Sequence, residues 1–219
     1  MTQYRWKPVA IAAACMLALS ACAATRSEIA VPTQSAKQPD SGTAVVVLPP
    51  VDARRFEAAP TDPSTPSLKF AEQINDPQIT SRAFGRKRNG YGMAWGDVLL
   101  NPPQTASSLV GDAVKAGLRD AGYRVVEASD AAASTAPRIN VRIDGFWVWI
   151  GALRLNNRVK FEMSGNLPSL ATPATVDVHE AKTYAVITES TWGPFIDTAL
   201  VKAREQVRAL MAPKTAALR

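Results

Sequence analysis

Few side chains in this sequence are placed to do chemistry, and they fall into three groups within the body of the chain. A cationic run, Arg82, Arg86, Lys87 and Arg88, leads into Asn89, Gly90 and Tyr91. Guanidinium and ammonium donors at that density pair with phosphates or carboxylates, although a cluster of loop charges is usually just solvated. The sole histidine, His179, stands two residues after Asp177, so both share one face of any strand that holds them. A metal or acid/base role there needs further ligands from elsewhere, and an ordinary surface histidine is the plainer reading. A cleft that gathered Asp52, Asp62, Asp76 or Asp97 against His179 would make a hydrolase. No GxSxG, P-loop, HExxH or EF-hand spacing supports one. The third group is aromatic: Phe146, Trp147 and Trp149. Both faces of that strand turn apolar at 146–150, which marks either core or an interface patch.

The residue whose position most constrains the chain is a cysteine. Arg5 and Lys7 form a positive leader, residues 9–19 an apolar run, and Leu19-Ser20-Ala21-Cys22 closes it with small residues, the three-part order of an export signal. The apolar run is shorter than the roughly 20 residues a bilayer-spanning helix needs. Leu19-Ser20-Ala21-Cys22 looks like a lipobox, at which the cysteine thiol is alkylated by a diacylglyceryl group and the chain is cut just before it. The other cysteine, Cys15, lies inside the apolar run and would leave with it, so a disulfide, a CxxC redox centre and a cysteine-ligated zinc are not expected in the mature chain. No cofactor is implied. Each buried methylene of an acyl chain contributes about 0.8 kcal/mol, so several chains hold a protein on a membrane durably. Ala23, rather than an aspartate, follows the cysteine and favours the periplasmic face of the outer membrane. Taking Arg5 and Lys7 from the 25 basic side chains leaves 23 against 19 acidic ones, a net charge of +4. An exported chain meets no nucleic acid, so its partners are the membrane through lipid on Cys22 and an envelope protein or an anionic glycan or lipid.

The elements that must position these residues follow from periodicity. Residues 1–21 are the signal, and 22–42 are the acylated cysteine and a flexible linker rich in Ala, Ser, Thr, Gln and Pro. Such a linker has a root-mean-square span of roughly 25 Å and stretches to about 65 Å. Residues 43–212 form a single α/β domain, and 213–219 a tail. The domain opens with a Val-rich strand stopped by Pro49-Pro50. A long loop over about 51–103 follows, with no sustained period and therefore the first place to look for a site. Val110, Ala113, Val114, Gly117, Leu118 and Ala121 then make a helical stripe, with Gly122 suited to the left-handed stop. Strict alternation predicts strands at 138–150 and 158–163, with Ile139, Val141, Ile143, Trp147 and Trp149 on one side of the first. A further strand is expected at 175–187. A closing helix beginning near Pro194 sets Ile196, Leu200, Ala203, Val207 and Leu210 on one face. The fold these elements satisfy is an α/β (α+β) two-layer sandwich: a mixed, mostly antiparallel sheet with two helices on one face.

With these elements placed, the chain resembles the YajG-like family of envelope lipoproteins. The likeness rests on the lipobox at Cys22, the opening strand running into Val51-Asp52-Ala53-Arg54, the helix ending Ala121-Gly122-Tyr123-Arg124-Val125, and the closing amphipathic helix. Gly85-Arg86-Lys87-Arg88-Asn89-Gly90-Tyr91-Gly92 departs from the shorter members. The resemblance implies location and fold and offers no catalytic residues. The function expected is therefore a non-enzymatic interaction module, lipid-anchored and facing the periplasm, with 82–95 and 146–150 as contact surfaces. The alternatives are a binding module for an anionic envelope glycan or lipid, recognised by the basic run, and more remotely a hydrolase.

Overall fold

The computed structural model describes residues 26–89, 93–151 and 154–212. The leader, Cys22, Tyr91 and the tail 213–219 lie outside the described residues.

The strands are β1 (Ser27–Ile29), β2 (Ala44–Val47), β3 (Val51–Asp52), β4 (Ala83–Arg88), β5 (Ala94–Leu100), β6 (Arg124–Val125), β7 (Arg138–Gly151), β8 (Arg154–Gly165) and β9 (Ala174–Thr183). The helices are a single turn, α1 (Pro77–Thr80), and the two long helices α2 (Ala106–Asp120) and α3 (Glu189–Met211). All nine strands join one open mixed sheet organised by the 14 residues of β7. One edge of β7 carries β8, antiparallel to it, and β9 follows antiparallel to β8. Its other edge carries β2, β3 and β4 in turn along its length, all parallel. Beyond β2 lies β6; beyond β4 lie antiparallel β5 and, outermost, parallel β1.

The two long helices cover one face, as their apolar stripes require. Val110, Val114 and Leu118 of α2 and Ile196, Leu200 and Val207 of α3 bury against Ile139, Val141, Ile143, Phe161 and Val176 of the sheet. A Cβ on Gly117 would stand 2.7 Å from the Arg204 carbonyl oxygen, so glycine there lets the helices close on each other. A reciprocal capping box of Thr105 and Ser108 starts α2, and Gly122 at φ +89° follows its end. Helix α3 starts at Glu189, five residues before the start expected at Pro194, because Thr188 and Thr191 form its capping box.

Three sequence expectations need correction. The first is the linker, which from Arg26 onward is laid along the domain. β1 pairs with β5, and the Val31 backbone exchanges two hydrogen bonds with the Gln104 amide (3.0 and 2.6 Å). Gln34 donates to Asp197 (2.7 Å), Gln38 to the Val125 carbonyl (2.7 Å), and Arg204 to the Ser35 carbonyl (2.9 Å). Side-chain amides do the docking, so no apolar period announced it.

The second is the loop over 51–103, which contains β3, β4 and β5. What remains, 53–80, crosses the face of the sheet opposite the helices and seals a small second core of Leu68, Ala83, Leu99 and Trp147. The third concerns β7. Its pairing with β8 slips by one residue between Ile143 and Gly145, so parity inverts there. Phe146 and Val148 join Ile143 in the helix-side core, while Trp147 points to the opposite face.

The slip leaves a gap along β7, between β3, which pairs as far as Ile143, and β4, which pairs from Val148. Arg54, whose side chain has no exposed surface, fills it. Its Nε and Nη2 grip both Asp52 carboxylate oxygens (2.8 and 2.7 Å). Nη1 donates to the Ala83 and Phe146 carbonyls (2.6 and 2.9 Å), and Nη2 donates also to the Thr80 carbonyl (2.8 Å). All five guanidinium N–H groups are thus spent. The cation also lies over the rings of Phe56 (5.4 Å) and Phe146 (5.8 Å). Arg54→Met would keep most of the volume but strand a carboxylate and three carbonyls. We expect a loss of about 3–5 kcal/mol in chemical denaturation, with Arg54→Lys recovering only part because an ammonium cannot reproduce the fork. A loss below about 1 kcal/mol, the level of an exposed pair, would contradict this role.

Candidate functional site

The basic run does not converge on one spot. β4 sends successive side chains to opposite faces of the sheet. Lys87 reaches over the helix side and donates to Glu189 at the start of α3 (2.8 Å), and that carboxylate also accepts from the Ser27 hydroxyl. The Lys87 bond holds the Glu189 carboxyl below its ordinary pKa, with the Ser27 bond adding to it. Arg86 points the other way, donating to the Ser67 hydroxyl (3.1 Å). Burial draws its guanidinium pKa below the usual arginine value, and its Nε makes no hydrogen bond among the described residues. Arg88 is close enough to Asp62 for its charge to help lower that carboxyl's pKa, after the hydrogen bonds from Ser64. Arg82 pairs with Glu28 (2.8 Å) and donates to the Leu100 carbonyl (3.0 Å). Tyr91 lies outside the described residues.

The aromatic patch at 146–150 is not an exposed surface. Phe146 is fully buried under the helices, and Trp147 is 2% exposed, its indole N–H donating to the Pro63 carbonyl (3.2 Å). The reason is the parity inversion in β7 together with the cover supplied by 53–80. Trp149 alone of the three is half-buried, and its ring stacks on His179 at 5.6 Å with 16° between planes.

The carboxylates weighed for hydrolysis are held apart by structural contacts. Asp52 grips Arg54, Asp76 caps α1 through the Gln78 N–H, and Asp62 closes a turn with Ser64. Asp97, 2% exposed, accepts from Arg26 (2.9 Å) and from the Lys69 N–H (2.7 Å). Asp177 does share a strand face with His179, but Arg158 holds it in a two-point bond (3.0 and 2.6 Å). Among the described residues no group of three His, Cys, Asp or Glu could hold a metal ion.

The face opposite the two long helices nevertheless has a cleft. Ser64, from the segment crossing the sheet, and Trp149, Arg158, Asp177 and His179, from β7, β8 and β9, line an open hollow of about 540 Å³. The cross-strand register Arg158↔His179 and Lys160↔Asp177 assembles it. An aromatic plate beside a guanidinium–carboxylate pair can stack a ring and hydrogen-bond its polar edge. Sequence reasoning found Asp177 together with His179, and Trp149 apart from them. Arg158 and Ser64 were missed, because no local pattern states which strands are neighbours.

No family model and no curated protein matches the chain. Three solved structures overlap it loosely. An uncharacterized protein aligns with 86% of this chain and 98% of its own at TM-score 0.47 and 8% identity. Protein XCC0632 of Xanthomonas campestris, from the family DUF330, aligns with 84% and 92% at TM-score 0.45 and 13% identity. A protein of Caulobacter crescentus CB15 described as a presumed lipoprotein aligns with 47% and 80% at TM-score 0.30 and 13% identity.

The Arg158 bond holds the Asp177 carboxyl below its ordinary pKa. The stability it adds is therefore complete above the unfolded aspartate value of about 4 and is lost as pH falls through the lower folded value. Asp177→Asn should flatten that acid limb by less than about 1 kcal/mol, since both partners are exposed. Acid titration of the denaturation midpoint checks it; an unchanged limb would contradict it.

Proposed function

We propose that this chain is a bacterial envelope lipoprotein of the YajG-like kind, held by acyl groups on Cys22 at the periplasmic face of the outer membrane. In this reading it works as a non-enzymatic interaction module. The observation that carries it is the cysteine at the end of Leu19-Ser20-Ala21-Cys22, behind a charged leader and a short apolar run. Two features of the fold support it. Among the described residues no helix is long and apolar enough to cross a membrane. Asp52, Asp62, Asp76, Asp97 and Asp177 are engaged in caps, turns and ion pairs, while the cleft beside Trp149 and His179 remains open. That cleft, which of Phe146, Trp147 and Trp149 includes only Trp149, is the contact surface for an envelope partner.

An anionic glycan or lipid is the second reading, favoured by Arg86, Arg88 and Arg158 lying on the same side of the sheet as the cleft. Its mark is loss of binding as salt rises.

Growing cells with labelled palmitate tests the anchor. The native chain should take up label and sediment with membranes, and Cys22→Ser should lose the label and remain as an uncut precursor. A Cys22→Ser chain that is still labelled and cut would contradict the reading.

A further inference from the structure

The docked N-terminal segment sets how close the domain stands to the lipid. Arg26 is fixed by Asp97 (2.9 Å) and Gln73 (2.5 Å), and Ser27 begins a parallel pairing with Val98. Three residues separate Cys22 from Arg26, so four Cα steps of at most about 3.6 Å give a leash no longer than about 14 Å. β1 runs parallel to β5, so Arg26, the first described residue, lies toward the start of β5, the end where the β4–β5 hairpin projects. Counting back from Val98 reaches Met93 in five residues, about 17 Å, and Asn89 and Met93 close the base of the hairpin tip through the Asn89 N–H and the Met93 carbonyl (2.9 Å). Cys22, by chain length no farther than about 14 Å from Arg26, is therefore within reach of the hairpin end.

That end carries exposed large apolar side chains, aromatic rings among them. Met93 is 59% exposed, Phe70 48% and Trp95 40%. Trp95 is the extra residue where the β4–β5 pairing slips from Lys87↔Gly96 to Arg88↔Ala94, a bulge of the kind that re-aims a side chain at a sheet edge. The Lys69 N–H bond to Asp97 pins the neighbouring Phe70 over the same stretch of β5. Lys69 sits over the Phe70 ring (5.5 Å), and Arg88 ends β4. Exposed tryptophan, methionine and phenylalanine flanked by cations are the side chains that settle at the boundary of hydrocarbon and headgroups, with their charges toward lipid phosphates.

Resting on the reading that Cys22 is acylated, we infer that the hairpin end of this sheet lies in the headgroup layer of the leaflet that holds the anchor. Phe70, Met93 and Trp95 are at the interface, and Lys69 faces anionic phospholipid. The headgroup region is several ångströms deep, so a 14 Å leash leaves the domain little room to stand clear of it. The cleft at Trp149 and His179 would then open beside the membrane rather than far above it.

The test uses the full lipidated chain reconstituted in vesicles of phosphatidylcholine and phosphatidylglycerol, some of whose lipids carry a nitroxide quencher on the headgroup. In a Trp149→Phe background tryptophan emission should be quenched, and adding Trp95→Phe should remove most of that quenching, because Trp147 and Trp192 are buried. Lys69→Glu should weaken the quenching without unfolding the chain, as judged by circular dichroism. A chain that floats with the vesicles but shows no quenching, or the same quenching once Trp95→Phe is added, would overturn this inference and leave the anchor standing. A chain that does not float with them would overturn the acylation reading and this inference together.

Discussion

A single buried guanidinium allows β7 to serve two different neighbourhoods. The strand must slip by one residue at Gly145 so that Phe146 and Val148 stay under the helices, and the slip breaks the ladder between β3 and β4. Unpaired carbonyls at that depth would cost about 1–3 kcal/mol each. Arg54 takes three of them, from Thr80, Ala83 and Phe146, and balances its own charge on Asp52. Without it β4 has little reason to rejoin β7, and with β4 would go β5 and the edge strand β1.

The same knot shapes the face opposite the two long helices. Because parity inverts, Trp147 comes to the far side, where 53–80 must cross to cover it; Leu68, Ala83 and Leu99 complete that small core. Burying such side chains is worth about 1.5–3 kcal/mol each, enough to hold an otherwise polar segment in place. Ser64 is thereby set at the rim of the cleft, over a floor made by β8 and β9. The backbone of Lys69, further along the same segment, is fixed on Asp97 beside the hairpin. Cleft and hairpin end are two products of one packing constraint.

Much of this was legible in the residues. The alternation of β7 and β8, the stripes of α2 and α3 and the Gly122 stop gave the layers and the face that the helices cover. What stayed hidden was governed by contacts distant in sequence. β4 and β5 were obscured because Arg86-Lys87-Arg88 looks like a solvated loop, although the strand alternation places those charges on two faces. The docking of 26–38 depends on Gln34, Gln38 and Gln104, whose amides carry no period. The slip in β7 had a local signal: an isolated glycine, Gly145, inside a strictly alternating run. The cleft had none, since Trp149, Arg158 and His179 meet only through strand register.

Cys22, the proposed acylation site, stands only four residues before Arg26, where the chain docks on the fold, so the proposed tether has three residues rather than some 20. Neutron reflectometry on a supported bilayer carrying the lipidated chain measures the consequence directly. The account predicts protein density beginning at the headgroups, with no solvent layer thicker than about 14 Å between them. A hydrated gap of roughly 25 Å, the span of a free linker, would contradict it.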